Sequence, residues 1–307
     1  MKFLFFIFLF NFHFNVYSSE GTTGAAFLKI SRSARESALA GAYSSVGNDS
    51  NSIFSNPASL VKTSKKEFSL GFTSYIQGSK LGLFSYSWGK DDYKIGLGLS
   101  LFNVGDIERR GSADISGIMD SDGSFDSNDM AFIFGYSKKG VFKNILDDLS
   151  GGVNLKIIRS KLDSKTAYAL AVDLGFLYEY SKNMNLAFTI SNLGTGMKFD
   201  EESDPLPLSL KAGGYYSIKE NFKLIGEIEE YINDSKFYPS VAFEYMLKES
   251  FALRGGYRFG YDTSNLGWDA GLSIGFGVIT SDVGFNYAYV PFGELGDTNR
   301  FDIVFKF

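Results

Sequence analysis

The sequence predicts an all-β fold, a 14-stranded antiparallel transmembrane β-barrel carrying an N-terminal helical hatch in its lumen. Three observations predict it: bulky apolar residues recurring at every second position, an apolar leader at the front, and an aromatic strand at the very end. From Thr166 to Tyr178, the positions Thr166, Tyr168, Leu170, Val172, Leu174, Phe176 and Tyr178 alternate with Ala167, Ala169, Ala171, Asp173, Gly175 and Leu177. A period of two is that of a strand with unlike faces.

The first element is the leader. Residues 1–19 carry Lys2, the apolar run Phe3 to Phe10, then Val16 and Ser18 placed for peptidase cleavage. That is the pattern of a signal peptide, with cleavage expected near Ser18 or Ser19. The run is too short to cross a bilayer, and no Cys follows it to take a lipid.

Residues 20–66 do not alternate and are expected to form the hatch. Ser33 and Glu36 have the spacing of a capping box, in which the Ser33 hydroxyl accepts from the third helical N–H and Glu36 reaches back to the Ser33 N–H. The helix is expected to reach about Ser45, with Gly47 as its stop. Asn56 suits an N-cap and Pro57 the first helical position, so Asn56, Pro57 and Ala58 open a single turn to Val61 that leads into the barrel.

Residues 67–307 are expected to supply the strands, at about 67–76, 79–89, 93–105, 128–137, 150–162, 166–180, 184–193, 206–217, 221–231, 236–246, 250–260, 266–277, 280–290 and 298–307. An even count puts both ends of the barrel on one side, taken as the periplasm, where the connections are short. The long connections 106–127 and 194–205 then lie outside. Residues 138–149 break the rule and are expected to form a short amphipathic helix. Tyr75, Trp88, Tyr93, Tyr178, Tyr180, Tyr231, Trp268 and Tyr289 fall near strand ends, as the interfacial girdles of a membrane barrel would. A soluble sandwich would carry many charges on its outer face, whereas here Gly and Ala oppose the apolar face. Lys156, Lys211, Lys223, Glu227, Arg254 and Arg258 are expected mostly on the lumen side.

The last strand ends on Phe301, Ile303, Phe305 and Phe307, every second residue up to the terminus. This resembles the signal by which outer-membrane barrels are recognised by their assembly machinery. In hydrocarbon an unpaired N–H or C=O costs several kcal/mol, so the sheet must close on itself.

Composition excludes much chemistry. The chain has no Cys, and its single His, His13, lies in the leader. Thiol, imidazole and zinc-type catalysis therefore lose their usual residues in the mature chain, and Glu229 and Glu230 are adjacent, hence on opposite strand faces. No enzyme and no cofactor are expected. A net charge of −5 gives no basic surface for nucleic acid. Asp120, Asp122 and Asp126, with Gly123, have spacings a calcium loop could use, but the twelve-residue pattern with its terminal Glu is missing, which favours a solvated acidic loop.

Phe27-Leu28-Lys29, Ala34-Arg35, Gly41-Ala42-Tyr43, Asn48-Asp49 and Asn56-Pro57-Ala58 together resemble the N-terminal signature of the FadL-type outer-membrane barrels, and more closely that of their PorV/PorQ branch. The resemblance implies a fourteen-stranded barrel in the outer membrane whose N-terminal segment plugs the lumen. It implies two functions: uptake of hydrophobic compounds such as long-chain fatty acids, or service as a PorV-like component of type IX secretion that binds exported proteins. The expected partners are outer-membrane lipid, the assembly machinery, and either a hydrophobic small molecule or an exported protein.

Overall fold

The computed structural model describes residues 23–64, 66–110, 121–143 and 146–307, with the side chains of residues 121 and 122 left aside. The leader lies outside the described residues. Fourteen strands form one closed antiparallel barrel: β1 Glu67–Ser74, β2 Lys80–Gly89, β3 Tyr93–Arg110, β4 Ser121–Lys138, β5 Leu149–Leu162, β6 Lys165–Ser181, β7 Met184–Gly194, β8 Ser209–Lys219, β9 Phe222–Tyr231, β10 Lys236–Leu247, β11 Phe251–Arg258, β12 Leu272–Ile279, β13 Val283–Pro291 and β14 Asp297–Lys306. Each strand pairs with its sequence neighbour. β1 and β14 close the ring, in register from Glu67 opposite Lys306 to Ser74 opposite Asn299. Every wall strand thus has a partner on both sides, which the solvent argument requires.

The side chains sort by the same period. On β6, Ala167, Ala169, Ala171 and Asp173 are buried inside, while Tyr168 and Leu170 are 64% and 59% exposed outside. Leu155, Ile157, Phe132, Phe134, Leu224, Val241, Phe243, Ile274, Phe301 and Ile303 extend this apolar belt around the wall. Lys156, Glu227 and Arg254 are buried on the inner side. Among the described residues no helix is long and apolar enough to cross a membrane; the strands carry the apolar surface instead.

We call the end where β1 begins and β14 finishes the near mouth. Its connections are short, apart from 139–148, where the Leu146 N–H donates to the Phe142 carbonyl at 2.8 Å and the Val141 N–H to the Leu149 carbonyl at 3.0 Å. Among the described residues this is a bridged turn, not the expected amphipathic helix. At the far mouth the described residues of the expected long loop, 106–110 and 121–127, are strand. β3 and β4 run on to Arg110 and from Ser121, with register shifts near Asp106. A hairpin that pairs its own amides can leave the membrane intact.

The stretch 266–277 is the main correction to the strand boundaries. It opens on the last residue of a short helix, Thr263–Leu266, and continues as a loop, with β12 starting only at Leu272. Gly267 and Gly271 have φ of 95° and 113°, which breaks the strand geometry the alternation suggested. Trp268 therefore sits on a far-mouth loop, 76% exposed, rather than in a girdle. Trp88, Tyr93 and Tyr178 do cluster near the near mouth, with Tyr86 on Trp88 at 5.2 Å and Tyr93 on Tyr136 at 6.3 Å.

The N-terminal segment lies against the inner wall. Its helix α1, Ala34–Ala38, packs on β11 to β14, the turn Ser50–Phe54 on β1 to β3, and the turn Pro57–Lys62 on β3 to β6. Leu39, Ala42, Tyr43 and Val46 pack with Ile225 and Ala242, and Ile53 and Leu60 with Ile133. The helix stops well short of Ser45. Ala40 and Gly41 take φ of 53° and 84°, and the Gly41 N–H closes back on the Glu36 carbonyl at 3.0 Å.

Candidate functional site

The motif residues of the segment are structural anchors. Ser33 Oγ accepts from the Glu36 N–H at 3.1 Å. Glu36 does not return the bond to Ser33; its Oε2 accepts from the Arg32 N–H at 2.8 Å, because the chain before the cap bends to present that amide instead. Asn56 is fully buried. Its Oδ1 caps the Ala58 N–H at 3.0 Å, and its Nδ2 donates to the carbonyls of Ser44 and Phe176, at 3.0 and 3.2 Å. Pro57 occupies the first position of that turn. Phe301, Ile303 and Phe305 face outward on β14, where Phe72 stacks on Phe301 and Phe68 on Phe305 at 6.1 and 5.8 Å. Phe307 follows the strand.

Of the three aspartates, Asp120 and the Asp122 side chain lie outside the described residues. Asp126 Oδ1 accepts from the Asp106 N–H at 3.3 Å, on the extended β3–β4 hairpin. Among the described residues no group of three or more potential ligands converges on a point.

The site that could hold a molecule is at the far mouth, above the N-terminal segment. A cavity of about 590 Å³ lies there, within the range of small-molecule pockets. Its floor is the turn Ala26–Lys29 with Ile30, and its walls come from strand ends and far-mouth loops. Aromatic rings follow one another around it. Phe27 stacks on Phe102 at 6.4 Å; Tyr75 lies edge-on to Phe102 at 6.3 Å and to Phe292 at 5.7 Å. Tyr261 then meets Phe292 at 6.0 Å and Tyr238 at 5.5 Å, and Tyr238 meets Tyr231 at 6.0 Å. Seven rings from seven separate elements make one collar. Mutual edge contacts stabilise such pairs beyond their buried area.

Local turns set these rings. The Tyr75 N–H donates to the Ser79 carbonyl at 2.8 Å across a turn whose Gln77 and Gly78 are left-handed, and the Phe292 N–H donates to the Gly296 carbonyl at 2.9 Å. Burial pushes the Tyr75 phenol up from its usual pKa, against the opposing pull of nearby Arg300, so it stays a neutral donor. On the loop side, the Ser264 hydroxyl and the Asn265 amide hold the exposed Asp262 carboxyl below the usual carboxylate range.

Lys29, Lys236 and Arg258 border the cavity, and Arg258 and Lys29 are each held by a carboxylate. Arg258 Nη2 donates to Glu229 at 2.7 Å and its guanidinium lies 4.5 Å from the Tyr238 ring centre. Lys29 is bonded to Asp234 and lies over Tyr231. Nε of Arg258 has no hydrogen-bond partner. The chemistry on offer is therefore an apolar, aromatic-walled space with one unused guanidinium N–H and several phenols beside it.

Below the cavity, polar contacts join wall strand to wall strand, Lys156 to Asp173 at 2.7 Å and Lys211 to Glu229 at 3.3 Å, and segment to wall, the Ser44 hydroxyl to Glu227 and the Arg300 Nη1 to the Ser31 carbonyl at 2.9 Å. A second cavity, of about 240 Å³, opens at the near mouth, and no residue lines both. None of the far-mouth lining was read from sequence as ligand-binding. Tyr75 and Tyr231 were read as girdle residues, yet both turn inward to the collar. Their position beside far-mouth turns, with Tyr261 and Phe292, was the available signal.

No protein-family model matches the chain, and no characterised protein matches it in sequence. In fold it is similar to solved outer-membrane channels. The monoaromatic hydrocarbon channel CymD gives a TM-score of 0.62 at 12% identity, over 90% of this chain and 97% of that one. The Ralstonia pickettii toluene transporter TbuX gives 0.60 at 11%, over 90% and 98%, and a Pseudomonas aeruginosa FadL homologue 0.58 at 12%, also over 90% and 98%. At such identities the likeness is one of fold, that of the closed β-barrel described above.

Proposed function

We propose that this protein admits hydrophobic small molecules across the outer membrane, and that the far-mouth collar is where they are first held. The carrying observation is the aromatic cavity of about 590 Å³ set directly on a segment that occupies the lumen. A molecule with an acyl chain or aromatic ring would gain about 0.8 kcal/mol per buried CH₂ there. A fatty-acid carboxylate would place its oxygens toward Arg258 Nε and the tyrosine hydroxyls. In this reading the leader is cleaved, residues 20–66 act as the hatch, the near mouth faces the periplasm, and the terminal aromatic strand addresses the assembly machinery. The channels of like fold, described as carrying monoaromatic hydrocarbons and toluene, support the ligand class.

The test is equilibrium binding of a fluorescent long-chain fatty acid, and of toluene in competition, to the barrel in lipid nanodiscs. Replacing Tyr261 and Phe292 together by Ala should weaken binding about tenfold or more, since two aromatic contacts are lost. Unchanged affinity would remove the collar as the site. The N-terminal resemblance to the PorV branch supports one other reading, a holder of exported proteins; co-purification of such proteins from the native membrane, with no bound lipid, would favour it.

A further inference from the structure

At the near mouth, two buried arginines and the half-buried Lys223 share one carboxylate. Arg35 of the segment donates to Glu244 through Nε and Nη2, both at 2.9 Å; Arg254 Nε donates to it at 2.8 Å; and Lys223 Nζ lies 3.7 Å away. Arg254 and Glu244 are buried in the wall. The surrounding carboxylates are engaged elsewhere. Asp49 accepts from the Tyr43 hydroxyl at 2.6 Å and reaches Arg35 only at 3.4 Å; Glu67 accepts from the Ser50 N–H at 2.9 Å; Asp302 accepts from the Ala34 N–H at 2.7 Å and from Asn286.

The cavity of about 240 Å³ is bordered by Arg35, Arg254, Lys223 and Lys306 on the positive side and by Asp49 and Glu244 on the negative side. Nη2 of Arg254 has no hydrogen-bond partner although its side chain is fully buried. Gly277 makes room for this guanidinium, since a Cβ there would lie 2.7 Å from Arg254 Nη1. Excess positive charge held out of water is costly unless a counter-charge enters. The cavity offers such an anion space and several charge-assisted donors.

We propose that the near-mouth cavity is a binding site for an oxyanion, a carboxylate or phosphate group. It is separate from the collar and stands whether or not the collar binds hydrophobic molecules. The group has two sources: a free anion from the near-side solvent, or the carboxylate end of an amphipathic molecule leaving the barrel.

The experiment uses the full barrel in a neutral detergent, titrated at constant ionic strength with inorganic phosphate and, separately, with octanoate, read by calorimetry and by thermal melting. At least one should bind saturably and raise the melting temperature. Arg254→Gln and Lys223→Gln should each weaken that binding about tenfold, the worth of one charge-assisted contact, while Tyr261→Ala should leave it unchanged. Because Lys223 makes only a long contact to Glu244, its variant tests the site even if Arg254→Gln fails to fold. Phosphate alone would assign a free anion, octanoate alone the cargo carboxylate, and both the shared chemistry. No binding by either, a shift matched by chloride, or full affinity in Lys223→Gln would overturn the proposal.

Discussion

The guanidinium of Arg35 meets the carboxylate of Glu244 fork to fork inside the barrel, with Nε to Oε2 and Nη2 to Oε1 both at 2.9 Å. This two-bonded contact ties the N-terminal segment to β10. Arg254 completes the arrangement on the wall side.

Glu244→Gln should therefore loosen the whole protein. Removing one partner of a buried ion pair costs about 3–5 kcal/mol, because the other charge is left buried. Here two guanidinium groups lose their counter-charge. The expected result is a lowered temperature for loss of the compact gel form, with Arg35→Met less damaging because Arg254 still neutralises Glu244. Equal melting of both variants and the parent would contradict this.

Asn56→Ala removes a cap and one donor from each of two carbonyls, of which that of Ser44 still accepts from the Ser59 hydroxyl at 2.8 Å. A lost N-cap costs about 1 kcal/mol and each unsatisfied buried polar group about 1–3 kcal/mol. Asn56→Asp keeps the cap but sets a buried carboxylate oxygen against the Ser44 and Phe176 carbonyls, so it should be at least as destabilised as Asn56→Ala. Urea titration in detergent would order the three proteins.

Two wall glycines let the Asn56-Pro57-Ala58 turn touch the sheet. A Cβ at Gly175 would lie 2.1 Å from Asn56 Oδ1, and one at Gly152 would lie 2.4 Å from the Ala58 amide nitrogen. Gly175→Ala should displace the turn and expose the segment to protease. A Cβ at Gly226 meets nothing within 4 Å, so Gly226→Ala should digest like the parent. Equal digestion of Gly175→Ala would show that the contact can be relieved at no cost.

Leu155 is 56% exposed on the outer belt, between Phe134 and Val172 on the neighbouring strands. If hydrocarbon surrounds it, Leu155→Arg should cost about 2–4 kcal/mol, the range for a cation near the bilayer midplane. Folding into lipid vesicles, followed by gel mobility at graded urea, measures this. A substitution without effect would place water, not lipid, at this surface.

The strand count and the facing of most strands were legible because the two faces of each strand meet different surroundings. That difference is written locally, as in Tyr168 and Leu170 against Ala167 and Ala169. The Asn56-Pro57 turn was legible for a similar reason, since a cap and its helix are neighbours in sequence. Where the alternation was misleading, at 266–270, two glycines with positive φ overrode a pattern that side chains alone suggested.

The sequence by itself determined a closed sheet with an apolar exterior and a non-strand segment to be housed within it, because periodicity and backbone pairing are short-range demands. Tertiary structure alone decided where α1 stops, which tyrosines turn inward, and which charges meet. Arg35 and Glu244 stand 209 positions apart, and the collar draws its rings from seven elements. Such contacts depend on how the chain curves round to meet itself, and no local pattern of residues encodes that distance.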